Sequence, residues 1–178
     1  MDAELAVGAG PLVKVQQVQL LRWLALGCAL ACADQASKWW VLEQLIPGER
    51  VPVIKGWFDI TLVFNRGAAF SFLADQAGWQ RWFFTAVSLL AALLLPWMMF
   101  KAIERPLSCA ALALIWSGAL GNGLDRAIEG QVTDFFLFHR EAWQFYFPAF
   151  NIADSAITLG VILLLLEEMI QWRKTAAS

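Results

Sequence analysis

The sequence predicts a mostly α-helical integral membrane protein, with four transmembrane helices and a small β-sheet on one membrane face. Three observations predict it. Of 178 residues, 60% are hydrophobic and only 16% charged, and the mean hydropathy is +0.58, too apolar for an ordinary soluble domain of this length. Four stretches are long and apolar enough to cross a bilayer, which takes about 20 residues of helix. Between the first two, the apolar positions switch to a two-residue repeat that suits a strand. Residues 1–178 read as a single membrane domain.

Residues 1–19 are expected to form a short polar extension, since Asp2 and Glu4 break the charged, apolar, small order of a signal peptide. The first span runs from about Leu20 to Leu45 and the second from Trp82 to Ile103, with Pro96 placed to kink it. The third runs from Leu107 to about Leu124 and the fourth from Ala153 to Ile170, leaving 171–178 as a polar tail. In the first long connection Phe58, Ile60, Leu62 and Phe64 alternate with Asp59, Thr61 and Val63, and Asn65-Arg66-Gly67 adds turn chemistry. A small sheet lying on the membrane surface is expected there.

The second long connection carries Phe135, Phe136, Phe138, Trp143, Phe145, Tyr146, Phe147 and Phe150. Aromatic rings are favoured at headgroup depth. The segment therefore either skims the interface, which the ten tryptophans gathered mostly near span ends favour, or forms the covered core of a loop. An even number of spans puts both termini on one side and both long connections on the other. Basic residues divide almost evenly between the sides, but the termini side is much shorter, which favours termini inside.

A net charge of −2 and no base-reading motif exclude a nucleic-acid partner. Cys28, Cys32 and Cys109 lie in apolar runs. Cys28 and Cys32 are spaced to begin a metal site, but the single histidine, His139, lies far along the chain, so the three read as small packing residues and no metal is expected. The run Ser117 to Gly123 is glycine-rich but follows no strand, which argues against a phosphate loop, and its small residues Ser117 and Gly121 suit close helix approach. There is neither a Gly-x-Ser-x-Gly elbow nor a His-Glu-x-x-His helix. Carboxylate chemistry remains.

Polar residues gather at one end of the spans: Asp34, Gln35 and Lys38 in the first, Asn122, Asp125 and Arg126 in the third, Asn151 and Asp154 at the fourth, with Asn65 and Arg66 from the first connection. Asp134 follows in Val132-Thr133-Asp134-Phe135. A carboxylate near the hydrocarbon boundary is costly unless it faces protein or trapped water, so Asp134 and Asp154 are functional candidates and together suggest a dyad. Plainer readings stand beside this one. Asp34 and Lys38 have the i, i+4 spacing of a helix ion pair, Asp125 and Arg126 read as a span-end pair, and Asn151 and Asp154 suit a helix cap.

Five motifs occur in order: Asp34-Gln35-Ala36-Ser37-Lys38, Asn65-Arg66-Gly67-Ala68-Ala69-Phe70-Ser71, Gly118-Ala119-Leu120-Gly121-Asn122-Gly123-Leu124-Asp125-Arg126, Val132-Thr133-Asp134-Phe135 and Phe150-Asn151-Ile152-Ala153-Asp154. Together, over roughly Leu20 to Ile170, they resemble bacterial lipoprotein signal peptidase, also called signal peptidase II. The resemblance implies an aspartic endopeptidase of the bacterial cytoplasmic (inner) membrane. Its reaction would remove the signal peptide from diacylglyceryl-modified prolipoproteins, cutting just before the lipid-modified cysteine. Asp134 and Asp154 would be the catalytic dyad, Asn65, Asn122, Arg126 and Asn151 would hold the substrate or organise the dyad, and Asp34, Lys38 and Asp125 would support the site. The resemblance further implies cytoplasmic termini and a site toward the periplasmic, outer leaflet, with a short interfacial helix beside the sheet. A monomer without cofactor or metal is expected, its partners being the lipidated precursor and membrane lipid. Phe64 and Gly123 depart from the family's usual residues, a basic and a larger apolar one respectively.

Two carboxylates about 4 Å apart repel by about 4 kcal/mol at an effective dielectric near 20, so a dyad is expected to share one proton near neutral pH. The rival from another class is a small ion-coupled transporter, whose acids would lie near the bilayer midplane in a duplicated span pattern. The acids here gather at one face and no repeat is visible. A scaffold subunit would give the polar clusters no reason to converge.

Overall fold

The computed structural model describes residues 11–67 and 78–176. It holds four long helices, α1 (Pro11–Gln44), α2 (Trp79–Lys101), α3 (Pro106–Ile128) and α4 (Ile152–Ala176). An antiparallel sheet joins β1 (Arg50–Ile54), β2 (Phe58–Asn65), β3 (Val132–Arg140) and β4 (Phe145–Tyr146) in that order. Each expected span is a helix, but the ends move. Helix α1 starts at Pro11, inside the stretch expected to be a polar extension, and α4 continues to Ala176 through most of the expected tail. Helix α2 runs unbroken through Pro96. Helix α3 opens on Pro106, where a missing N–H costs nothing, and carries on past Leu124 to include Asp125 and Arg126.

Helices α2 and α3 are both long and apolar enough to cross a membrane. Large apolar side chains cover the outside: Leu89, Leu93 and Trp97 on α2, Val161, Leu165 and Leu166 on α4 are all exposed. The interior at one end is polar instead, with Asp34, Lys38, Asn122, Asp125, Asp134 and Asn151 buried. A soluble protein distributes these the other way, whereas hydrocarbon solvent accepts an apolar exterior.

Helix α3 is central and packs on α1, α2 and α4. Between helices in lipid there is little hydrophobic drive, so close approach of small residues matters most. A Cβ on Gly118 would collide with the Ala153 carbonyl, one on Gly121 would lie 2.5 Å from Asp34 Oδ2, and one on Gly160 would lie 2.7 Å from the Ala111 carbonyl. The unusual Gly123 has the same use, since its Cβ would stand 2.7 Å from Ser88 Cβ on α2. Cys28 and Cys32 do not pack between helices: both are exposed on α1, and only Cys109 is buried.

The aromatic connection supplies two strands of the sheet. Residues 132–140 form β3, which pairs Val63 with Asp134 and Asn65 with Val132 across a bulge between Ile60 and Val63. Phe135 is buried with Val41 of α1 and Leu62 of β2, while Trp143, Phe145 and Tyr146 stay exposed. The bulge also ends the alternation read from β2: Leu62 goes inside, but so do Asp59 and Thr61, and Phe64 is exposed. Between β3 and β4 lies one 3-10 turn, Glu141–Trp143, and no short interfacial α-helix stands beside the sheet among the described residues. Residues 68–77, which include Ala68-Ala69-Phe70-Ser71, lie outside the described residues.

The α3–α4 contact is tested by Gly160→Leu, which is expected to destabilise the protein by about 1–3 kcal/mol through overpacking. Thermal unfolding in detergent would show a lowered Tm; an unchanged Tm would contradict the close crossing.

Candidate active site

Asn151 is fully buried and stands immediately before α4. Its Oδ1 accepts the Asp154 N–H at 2.9 Å, and its own N–H donates to Asp154 Oδ2 at 3.3 Å. This is a reciprocal capping box with an aspartate three residues after the cap. The capping role expected of the pair is therefore real, but it leaves work for both side chains. The Asn151 amide donates to Asp134 Oδ1 at 2.8 Å, so one residue holds both aspartates. Asp154 also accepts the Asn122 amide at 2.7 Å, and Asp134 Oδ2 accepts the Asn65 amide at 3.2 Å.

Asp134 reaches this point because β3 pairs with β2 beside the head of α4, the Phe135 and Phe136 N–H groups both donating to the Phe150 carbonyl. It is almost fully buried. Burial, and secondarily the charge of Asp154, push its carboxyl up to about 7, against the amides of Asn65 and Asn151 and the charge of Lys38, which favour ionisation.

Beneath the pair lies Lys38, only 3% exposed. Its Nζ is 2.7 Å from Asp34 Oδ2 and 2.9 Å from Asp125 Oδ2, and it donates to Asn122 Oδ1 at 2.9 Å. All three ammonium protons thus have acceptors. Each carboxylate then reaches outward. Asp34 Oδ1 accepts the Ala153 N–H at 2.8 Å, in the first turn of α4, and Asp125 Oδ2 accepts the Thr133 N–H at 3.2 Å, one residue before Asp134.

Arg126 bonds elsewhere than its neighbour Asp125, so the two are not the simple span-end pair their adjacency suggests. Its Nη2 donates to the Gly67 carbonyl at 2.9 Å, its Nη1 to the Asn122 carbonyl at 3.3 Å, and its guanidinium stands 5.1 Å from the centre of the Phe84 ring. Beside Arg126 opens a cleft of about 560 Å³. Asn65, Asn122, Asp154 and Ser155 line its mouth, the Phe147 to Phe150 segment forms one wall, and Ile157, Leu159 and Ile162 continue it down α4.

The nine residues given roles from sequence therefore meet in one network or at its rim, whereas Arg66 of the same polar cluster points to Gln131 at the surface. Sequence reading assigned no role to Gln35 or Thr133. Gln35 donates to Asp125 Oδ1 at 2.8 Å and to the Gly121 carbonyl at 3.0 Å. Its signal was available: it stands three residues before Lys38, the spacing of helix neighbours. Thr133 acts through its backbone, which no side-chain pattern reveals. Among the described residues no group of three or more His, Cys, Asp or Glu side chains is arranged to hold a metal ion.

A buried pair of carboxyl groups tied by amides, Asp154 lining an apolar cleft and Asp134 behind it, is suited to acid–base hydrolysis, one group ionised and the other protonated. Known proteins similar to this chain give its family. The signal peptidase (SPase) II family model matches residues 26–170. A lipoprotein signal peptidase of Azoarcus sp. is 51% identical over 148 residues, covering 83% of this chain and 82% of that protein. One from Ralstonia nicotianae is 45% identical over 152 residues, covering 85% and 86%. A solved bacterial membrane enzyme, determined by the in meso method at 2.3 Å, shares the fold with a TM-score of 0.74 at 29% identity, over 83% of this chain and 87% of its own. With most of its length inside that model and relatives this similar, the chain belongs to the signal peptidase II family and is an aspartic peptidase that processes lipoproteins.

Proposed function

We propose that Asp134 and Asp154 are the catalytic dyad, and that the bond cut lies just before the diacylglyceryl-modified cysteine of a prolipoprotein. The bridging of both aspartates by Asn151, with Asp154 lining the cleft, carries this reading. The proton of the pair is assigned to Asp134, in keeping with its raised carboxyl, though the titration belongs to both groups. Ionised Asp154 takes a proton from a bound water, whose oxygen attacks the scissile carbonyl carbon. Asp134 donates a hydrogen bond, then its proton, to the carbonyl oxygen. The tetrahedral intermediate collapses: the C–N bond breaks, the proton gained by Asp154 goes to the leaving amine, and Asp134 recovers its own.

Asn65, Asn122 and Asn151 orient the carboxyl oxygens, and Arg126 holds the chain at Gly67 beside them. Asp34, Lys38 and Asp125 support the dyad from below. The apolar wall of α4 from Ile157 to Ile162 suits the apolar peptide of a signal sequence. Four crossings fit the helix lengths, since α1 with 34 residues and α4 with 25 reach roughly 51 and 37 Å at 1.5 Å per residue. The reading has a monomer in the inner membrane, both termini cytoplasmic and the site at the outer leaflet. There the bilayer itself delivers a lipid-anchored substrate by lateral diffusion.

Three outcomes are expected. Asp134→Asn and Asp154→Asn should each lower cleavage of a lipidated precursor by about 10²- to 10⁴-fold, the usual worth of acid–base catalysis; near-normal turnover in either would remove the dyad. As pH rises through about 7 the proton leaves Asp134, so kcat/KM should fall on the alkaline side with a midpoint there; a profile that stays flat well above that value contradicts the shared proton. Lys38→Met would strand Asp34 and Asp125 without a counter-charge, a loss of about 3–5 kcal/mol. Adding Asp34→Asn to it should recover part of that loss in thermal unfolding, and identical melting of wild type and Lys38→Met would contradict the hub.

A further inference from the structure

The single histidine takes no part in this chemistry, yet it is 3% exposed and centred in a cluster drawn from every strand of the sheet. Asp59 on β2 divides its carboxylate, with Oδ2 3.2 Å from Arg50 Nε on β1 and Oδ1 3.1 Å from His139 Nε2 on β3. The imidazole stacks on Tyr146 of β4, the ring centres 5.6 Å apart and the planes 10° from parallel. Arg50 stands over the same tyrosine ring at 5.1 Å. Neither ring nitrogen of His139 has a hydrogen-bond partner among the described residues. The ring is therefore held by its stack and by the nearby carboxylate, not by a directed bond.

The position of Tyr146 gives this cluster a consequence at the cleft. Strand β4 is two residues long and pairs only as His139 with Tyr146 and Arg140 with Phe145, too short to be stable by its own backbone bonds. The chain leaves Tyr146 directly into Phe147, Pro148, Ala149 and Phe150, which form the cleft wall. That wall is anchored at its far end by the Phe150 N–H bond to the Phe136 carbonyl and near its start by the Phe147 N–H bond to the Phe138 carbonyl. What fixes the entering strand is the aromatic stack.

We infer that His139 is a positioning residue for substrate binding: stacked on Tyr146 and steadied by Asp59, it clamps β4 so that the Phe147 to Phe150 wall keeps the shape that receives the substrate peptide. The inference rests on the cleft being the substrate site. It concerns binding and leaves the dyad untouched, which separates the two in kinetics. His139→Ala should raise KM for a lipidated precursor about three- to tenfold, the worth of one aromatic pair, with kcat within about twofold of wild type. His139→Phe, which keeps a ring on Tyr146, should restore KM toward the wild-type value. If His139→Ala fails to fold, Tyr146→Ala and Tyr146→Phe on the exposed strand give the same contrast. An unchanged KM, a loss confined to kcat, or a phenylalanine variant no better than alanine in the pair that folds would overturn the clamp. Asp154→Asn, assayed alongside, reports separately on the dyad: normal turnover there would sink the catalytic reading and leave the KM comparison standing.

Discussion

One buried ammonium fixes where everything else can be. Lys38 binds a carboxylate on its own helix and one on α3, and through them the first turn of α4 and the first residues of β3. Four elements thus meet at a single charge. Such a centre is a poor source of net stability, because removing three charged groups from water costs about as much as their attraction returns. It is a good source of register. Rotating α1 by one residue would carry Lys38 about 100° away from Asp125, and Asp34 with it away from the Ala153 N–H, leaving buried polar groups on α3 and α4 unpaired.

Lipid as solvent explains why register needs such a device. Apolar faces of α2 and α4 lose nothing by facing hydrocarbon, so burial alone does not select one helix arrangement. Selection comes from shape and from polar contacts that have a single solution. The glycines supply the shape. Gly121 lets α3 come close enough for Asp34 to pass beneath it toward Ala153, and Gly118 lets the Ala153 carbonyl lie against α3. Close packing and the polar network are therefore one feature: without the glycines the helices would stand too far apart for the carboxylates to reach their backbone partners.

The helices were legible because each is a long, mostly apolar run, and the site residues were legible because charge in such surroundings needs a reason. The strands were harder. In β3 the alternation is lost, since Phe135 and Phe136 follow one another, the first buried against Val41 and Leu62 and the second packed on the same cluster. Pro52 disguises β1 by removing a donor, which an edge strand tolerates. Pairings were harder still. Asp125 and Arg126 are neighbours in sequence, but adjacent helix positions point in different directions, and one reaches Lys38 while the other reaches Gly67. That Asn151 touches both aspartates depends on β3 folding back against the head of α4, a contact across 17 residues that no local pattern encodes.

The charge balance of the network bears on the proton that the proposed dyad would share. Lys38 and Arg126 are the cations among the site residues, facing Asp34, Asp125, Asp134 and Asp154. With one of the last pair protonated, the site carries a single excess negative charge; with both ionised it carries two, in surroundings that solvate charge poorly. An ammonium in direct contact with Asp134 or Asp154 would relieve that excess and let both ionise. Lys38 is instead one residue removed, its field reaching the pair across Asn122, which accepts from the lysine on one side and donates to Asp154 on the other. A neutral amide in that position transmits orientation without cancelling charge. The arrangement supports one negative charge on the pair and opposes a second, which is the condition the proposed acid and base would require.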